Sequence, residues 1–312
     1  MIQSKVQYTL VVVLCMIAPQ IFAGKSRILR AVDSLFKRSH HEEIIQKEYP
    51  LKGRKLVHVK NMKGTITVKS EWNNETLLMT ATKKSTKPEY LDSLTIDDSK
   101  SDKNSIKIET ICAANNKKAS IDYVLVVPQN IRLELISDNG NIVVKETNGE
   151  IVAKTGNFGN IEIDNAQNAI YAQAEHGSIL INRAPKNVKA FSSNGNITIH
   201  NAEKSIIAQA EKGKIDIECL QVPSTGKLSL NTGSGNITLR IPESTSAELQ
   251  AHTESGTLTC AHYVTVKPLT TQLNPSAWTK FKREVEGTIG SGEANITLHT
   301  DKGHIKILNS TI

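Results

Sequence analysis

The chain has 312 residues, of which 38% are apolar, 22% charged and only 4% aromatic, and it carries a net charge of +7. This composition excludes a disordered tail and suffices for one large or two modest domains. No segment beyond the first two dozen residues is apolar enough to span a bilayer, which argues against an integral helical membrane protein.

Residues 1–23 read as a secretory signal peptide. Lys5 precedes the apolar run Tyr8–Ala18, and the small residue Ala23 suits cleavage after it,. An uncleaved signal anchor is the alternative. Cleavage removes Cys15 and leaves Cys112, Cys219 and Cys260. An odd number of cysteines in an oxidising compartment argues against a disulfide framework, and the phase of the repeats turns Cys219 and Cys260 inward as buried thiols.

Residues 24–48 are expected to form a short amphipathic helix or linker. Ile28, Leu29, Val32, Leu35 and Phe36 share one helical face over Ser26–Lys47, with Lys25, Arg27, Arg30, Lys37 and Arg38 around it,. Such a segment could cover the open first coil of a solenoid, or lie on an anionic membrane surface. Residues 49–130 read as an irregular N-terminal β region, with apolar alternation around Lys55–Lys60, Gly64-Thr-Ile-Thr-Val68, Thr76–Thr82, Ser105–Ile108 and Ile121–Val127. The basic excess is confined to this front region: residues 24–130 hold 20 Lys and Arg against 13 Asp and Glu, whereas residues 131–312 hold 17 against 18.

From residue 131 to the end the chain repeats. Gly140-Asn-Ile142 returns as Gly159-Asn-Ile161, Gly177-Ser-Ile179, Gly195-Asn-Ile197, Gly213-Lys-Ile215, Gly235-Asn-Ile237, Gly256-Thr-Leu258 and, after a longer gap, Gly303-His-Ile305. Upstream of each glycine in the spaced series runs a second short alternating stretch, such as Ile170-x-Ala172-x-Ala174 or Ile206-x-Ala208-x-Ala210. Period-two alternation marks strands with one buried face, and the phase slips between the two strands, so a corner lies there. Glycine suits that corner because it tolerates positive φ. Stacking the units buries the aliphatic ladders against their own copies, which no unit achieves alone.

The expected fold is all-β: a single-stranded β-solenoid, a β-helix expected to be right-handed. About eight coils at about 4.8 Å each would give a stack of about 40 Å. An antiparallel β-sandwich of hairpins is the alternative, because short strands between turns read alike. Residues 261–288 break the repeat and are expected to form an inserted loop before the closing strands at Ala294–Leu298 and His304–Leu308.

These residues give the chain a family likeness. In Val59–Val68, in Asp122–Pro128 leading into Ile131–Ile142, in the Gly-x-Ile ladder and in the ending from Gly290-Ser-Gly292 to Gly303-His-Ile305, it resembles the bacterial "putative adhesin" family of exported β-strand-repeat proteins, a domain of unknown function. The likeness covers roughly residues 50–310. It implies a single-stranded β-helix and an envelope or extracellular address, and it brings no catalytic residues.

No motif demands an enzyme. Phosphate loops, His-Glu-x-x-His and Gly-x-Ser-x-Gly are missing from the sequence, and no catalytic residue, metal ligand, cofactor or nucleic-acid partner is assigned,. His252, Cys260 and His262 lack a fourth ligand at useful spacing, so a structural role is the plainer reading. Glu162, Asp164, Asp216 and Glu218 project outward, but Leu180, Asn182, Thr198 and His200 fall between the two pairs. A polysaccharide-active enzyme on a β-helix scaffold therefore stays the alternative, not the first reading. The sharper feature is an outward patch of Tyr171, Phe191 and Ile207, flanked by Gln173, Lys189 and Gln209, expected to meet a partner unless residues 261–288 or the front segment cover it. The functional expectation is a noncatalytic structural or adhesion module of the bacterial cell envelope. Its partner would be an envelope protein, a surface glycan or, through the basic arm, anionic membrane.

Overall fold

The computed structural model describes residues 41–71, 75–113, 118–266 and 283–310. The expected signal peptide, the cleavage position after Ala23 and the basic arm up to residue 40 lie outside the described residues.

The front region supplies β1 (His41–Pro50), β2 (Leu56–Asn61), β3 (Ile66–Glu71), β4 (Thr76–Ser85), the single-turn helix α1 (Pro88–Leu91), β5 (Leu94–Asp97), β6 (Ser105–Cys112) and β7 (Ala119–Pro128). The middle alternates between β8 (Arg132–Asn139), β9 (Ile142–Lys145), β10 (Ile151–Phe158), β11 (Ile161–Asp164), β12 (Ile170–Ala174), β13 (Ile179–Ala184), β14 (Val188–Asn194) and β15 (Ile197–Ala202). It continues with β16 (Ile206–Lys212), β17 (Ile215–Cys219), β18 (Lys227–Ser234) and β19 (Ile237–Ile241). The last region holds β20 (Ala247–Ser255), β21 (Leu258–Cys260), β22 (Thr265–Val266), β23 (Glu284–Ile289), β24 (Ala294–Lys302) and β25 (Ile305–Asn309).

In the middle, even-numbered strands enter one sheet of 13 strands and odd-numbered strands enter a second sheet of 12. Each pairs in parallel with its counterpart one repeat away, as Ile161 with Ile179, Ile179 with Ile197 and Ile197 with Ile215. Parallel pairing rules out the hairpin sandwich and is the arrangement expected of a β-solenoid. The aliphatic ladder of the second sheet faces Ala153, Ala172, Ala190 and Ala208 of the first, and all of these side chains are buried. Ile151, Ile170, Val188 and Ile206 of the first sheet are buried beside these alanines, so that large and small side chains alternate and fill a narrow interior,.

The corner glycines are required both for backbone conformation and for close approach: Gly64, Gly140 and Gly213 have the positive φ that the sequence suggests. Gly159, Gly177, Gly195 and Gly235 do not have positive φ. Instead, a Cβ on Gly195 would lie 2.0 Å from the carbonyl oxygen of Gly177, and one on Gly177 would lie 1.9 Å from that of Gly159. Each glycine admits the backbone of the neighbouring coil. The asparagine after it completes the stack: Asn160 Oδ1 accepts from the Ser178 amide at 2.8 Å and Asn196 Oδ1 from the Lys214 amide at 2.9 Å. Inside the corner, Ser192 and Thr232 donate to the carbonyls of Gly177 and Gly213 at 3.0 and 2.9 Å, satisfying these part-buried acceptors,. Positive φ also falls at the opposite corner, on Glu146, Asn165, Arg183 and Asn201, where the chain leaves the second sheet.

The two ends depart from sequence order. The coil β2/β3 lies between β6/β7 and β8/β9, and the coil β24/β25 lies between β18/β19 and β20/β21, giving ten coils among the described residues. Gly303 accordingly stacks on Gly235, and Gly256 on Gly303. Antiparallel strands close the ends. β4 pairs with β7 and β1 with β4 on the second sheet, while β5 pairs with β6 at the same end of the first.

Three expectations are therefore corrected. Residues 41–47 are a strand and not the continuation of a helix, because alternate side chains of β1, including Ile45 and Tyr49, reach the end of the core. The interval 261–288 is not all loop: Thr265–Val266 and Glu284–Ile289 form antiparallel strands beside β20, while residues 267–282 are outside the described set. Of the thiols, Cys219 is buried, whereas Cys260 and Cys112 are half-buried. Burial pushes the Cys219 thiol up to about 12.

The front end is tied by polar contacts as well. Asp98, just after β5 of the first sheet, accepts from Lys47 Nζ and from Tyr49 Oη of β1 in the second, each at 2.8 Å. Burial opposes ionisation of Asp98, but these two hydrogen bonds outweigh it and hold its carboxyl below the ordinary range,. Deeper in, the buried Tyr123 hydroxyl meets Thr110 Oγ1 at 2.8 Å, and Thr110 donates to Asn61.

Candidate functional site

Strand alternation decides what the first sheet shows to solvent. With Ile170, Ala172, Val188 and Ala190 buried, Tyr171, Gln173, Lys189 and Phe191 must face outward,. The register pairs Tyr171 with Lys189 and Lys189 with Ile207, and it pairs Gln173 with Phe191 and Phe191 with Gln209. Tyr171 and Phe191 are thus diagonal neighbours, with ring centroids 5.5 Å apart at an angle of 41°. Ile207 shares the face, but the side chain of Lys189 stands between it and Tyr171.

Tyr171 is held from several directions. Lys154 of β10 places its ammonium 5.6 Å from the ring centroid on one side, Phe191 of β14 lies on the other, and the hydroxyl donates to Gln173 Oε1 at 3.0 Å. Beside this upright ring is an open concavity of about 260 Å³, bounded by Tyr171, Gln173, Phe191, Ser193, Gln209 and Glu211. The sequence brings out the two aromatics and the two glutamines. It does not bring out Ser193 or Glu211, which lie one alternation further along and look like any solvated polar residue until the register places them beside Phe191.

A second ring pair does not emerge from the strand pattern. Phe158 is 70% exposed and its ring centroid lies 5.8 Å from that of His176, at the glycine corner where β10 and β12 end. His176 Nδ1 also contacts Asn194 Nδ2 at 3.1 Å. A sequence signal for it exists: Phe158, His176, Asn194 and Lys212 each immediately precede a ladder glycine.

Neither segment suspected of covering the patch does so among the described residues. β22 and β23 add to the sheet beyond β20, with β24 and β18 intervening before β16, and β5 lies at the opposite edge.

The other candidates are dispersed. On the second sheet, Glu162 pairs with Leu180, Leu180 with Thr198 and Thr198 with Asp216, so the first and last are three strand steps apart, about 14 Å,. A glycosidase pair sits at roughly 5–10 Å. Asp216 is instead paired with Arg240, and Glu218 lies 3.3 Å from His200 Nδ1. His252 of β20 stacks on His299 of β24, whereas Cys260 belongs to the other sheet, and His262 contacts the Leu308 carbonyl at 3.4 Å. Among the described residues, no group of three or more His, Cys, Asp or Glu could hold a metal ion, and no helix is long and apolar enough to cross a membrane.

Fold and face together define an all-β stack of parallel coils with an outward aromatic concavity. The chain belongs to the Toastrack DUF4097 family, whose model matches residues 36–308. A "putative adhesin" from Bacteroides fragilis is 11% identical, with 85% of this chain and 97% of that chain covered and a TM-score of 0.45. A "putative cell adhesion protein" from Clostridium sporogenes is 12% identical, covering 86% and 100%, with a TM-score of 0.25. A "putative lipid binding protein" from Parabacteroides distasonis is 11% identical, covering 85% and 96%, with a TM-score of 0.30. No curated protein matches the sequence.

Proposed function

We propose that this protein is an exported, noncatalytic binding module of the bacterial cell envelope, and that it engages its partner through the outer face of the first sheet at Tyr171 and Phe191. One observation carries the reading. On the outer face of the first sheet, whose neighbouring outward positions are Val152, Lys154, Lys189, Ile207 and Gln209, two aromatic rings are held against each other over an open concavity, and the described residues leave it uncovered. A stacked sheet face with fixed side-chain spacing suits binding by surface complementarity, because its rows are rigid and repeat at the strand interval. The sequence supports the address through the apolar leader ahead of Ala23.

Crosslinking and pull-down of the tagged protein in its native cell, with fractionation, tests both the face and the address. The expected result is capture of an envelope component that the double variant Tyr171→Ser, Phe191→Ser no longer captures, while its thermal transition stays near that of the wild type. Undiminished capture by the double variant would overturn the assignment of the face, and recovery of the protein in the cytosolic fraction would overturn the address. Turnover of a polysaccharide by the wild type, lost on Asp216→Asn or Glu162→Gln, would replace the binding module by an enzyme.

A further inference from the structure

We infer that the concavity beside Tyr171 and Phe191 is a subsite for a neutral polysaccharide chain, continued by the Phe158–His176 ring pair at the ends of the same strands. This rests on the reading above that the face binds a partner, and it names the partner's chemistry.

The aromatic residues are distributed unevenly. Seven Phe and Tyr side chains occur among the described residues, and three of them, Phe158, Tyr171 and Phe191, lie on the successive first-sheet strands β10, β12 and β14. Tyr123 is buried and Tyr49 and Tyr90 pack against the core, so they serve the fold. The three on β10, β12 and β14 are not needed to fill the interior. A sugar ring has apolar C–H faces and a rim of hydroxyls, so it is matched by aromatic surface with polar groups close by. Tyr171, flanked by Lys154 and Phe191, is a fixed wall that loses little freedom on binding,. Around it stand Gln173, Ser193 and Gln209. Amides and hydroxyls both donate and accept, as a polyhydroxylated ligand requires.

Charge narrows the class. Glu211 borders the concavity, and Glu175, which follows Ala174 of β12, is also exposed. Carboxylates accept hydrogen bonds from sugar hydroxyls, and with Lys154 and Lys189 beside Tyr171 neither sign of charge prevails on the face, so a neutral glycan fits better than a polyanion or an anionic lipid headgroup,. Size narrows it further. About 260 Å³ accommodates a small cyclic unit, whereas a stable protein partner needs about 800 Å² of surface on each side,. From Tyr171 to Ala174 the strand runs about 10 Å to the corner that carries His176, which gives a path along the strand for a short oligosaccharide,.

The test is calorimetric titration of the full chain with the hexasaccharides of β-1,4-linked glucose and of β-1,4-linked N-acetylglucosamine, with a polyuronate as the charged comparison. The expected result is saturable binding of at least one neutral hexamer and none of the polyuronate. Phe191→Ala should weaken binding by about tenfold or more. Phe158→Ala, an exposed position whose loss cannot disturb the core, should weaken binding of the hexamer but leave that of the disaccharide unchanged. Tyr263→Ala, which alters a 98% exposed tyrosine away from the face, should change neither. Absence of saturable binding to both neutral hexamers, or equal binding by wild type and Phe191→Ala, would overturn the inference. Stronger binding of the polyuronate would overturn it as well. If the native-cell capture persists and still depends on Tyr171 and Phe191 while neither hexamer binds, the glycan class fails and the binding face stands. If that dependence is lost too, both fail.

Discussion

The middle of the stack, from β8 to β19, and its two ends are made of the same kind of strand pair but are assembled differently. In the middle each coil lies on the one that precedes it in sequence, and the connection is a corner of a few residues. At each end the terminal coil of the chain lies one place inward, with β2/β3 beneath β6/β7 and β24/β25 beneath β20/β21. A coil can pair only with the edge available to it, and a bare parallel edge invites association with another chain. Placing the first and last coils of the sequence one place inward gives each of them two neighbours. The coils left outermost come from internal sequence, whose long excursions supply antiparallel closing strands: β4 and β5 at one end, β22 and β23 at the other.

The most severe way to break this comparison is to remove residues 294–312. That takes away the coil between β18/β19 and β20/β21, so the strands from β20 to β23 lose the partner that joins them to the stack on both sheets,. The truncated chain is expected to lose the protection of β20 from hydrogen exchange and to associate through the exposed edge of β18. In the middle, Gly195→Ala sets a Cβ 2.0 Å from the Gly177 carbonyl oxygen and must push adjacent coils apart. We expect a cost on the order of 4 kcal/mol. Gly53→Ala is the comparison in the front region. Its φ is +84° and nothing lies within 4 Å of the added methyl, so thermal melts should show a loss of only about 1 kcal/mol,.

The smallest effect is confined to the front end. Asp98 is held below the ordinary carboxylate value of 3.8, so its contribution is complete above that value and disappears as the pH falls below it,. The protection of β1 from hydrogen exchange, taken relative to the intrinsic rate at each pH, should therefore fall below about pH 4 in the wild type, while the middle coils, which have no such tie, stay protected. Asp98→Asn should show fast exchange of β1 already at neutral pH and little further change on acidification. Equal pH dependence in β1 and in β12 would show that the Lys47–Tyr49–Asp98 cluster does not fasten the end.

The candidate face was legible to the extent that alternation is legible. Tyr171, Phe191 and Ile207 could be turned outward from the phase of Ile170, Val188 and Ile206 alone, since a strand with one buried face leaves no choice for the residues between. The register then decided which of them touch. The pairing places Phe191 beside Gln173 and Gln209, Ile207 does not border the concavity, and only the pairing of neighbouring coils brings Glu211 and Ser193 to it. Phe158 was readable as the residue before a ladder glycine, but its contact with His176 depends on how the corner turns.

The sequence by itself determined the repeating unit: two short strands with alternate residues buried, a glycine corner and an aliphatic ladder, because those are consequences of backbone period and side-chain size within each repeat. It also determined which sides face water. The tertiary structure alone decided the order of the end coils, the strands of the interval 261–288 and the close backbone approach at the glycines. Each of these depends on what backbone or sheet edge stands next to a segment distant in the chain, and local pattern carries no record of that neighbour.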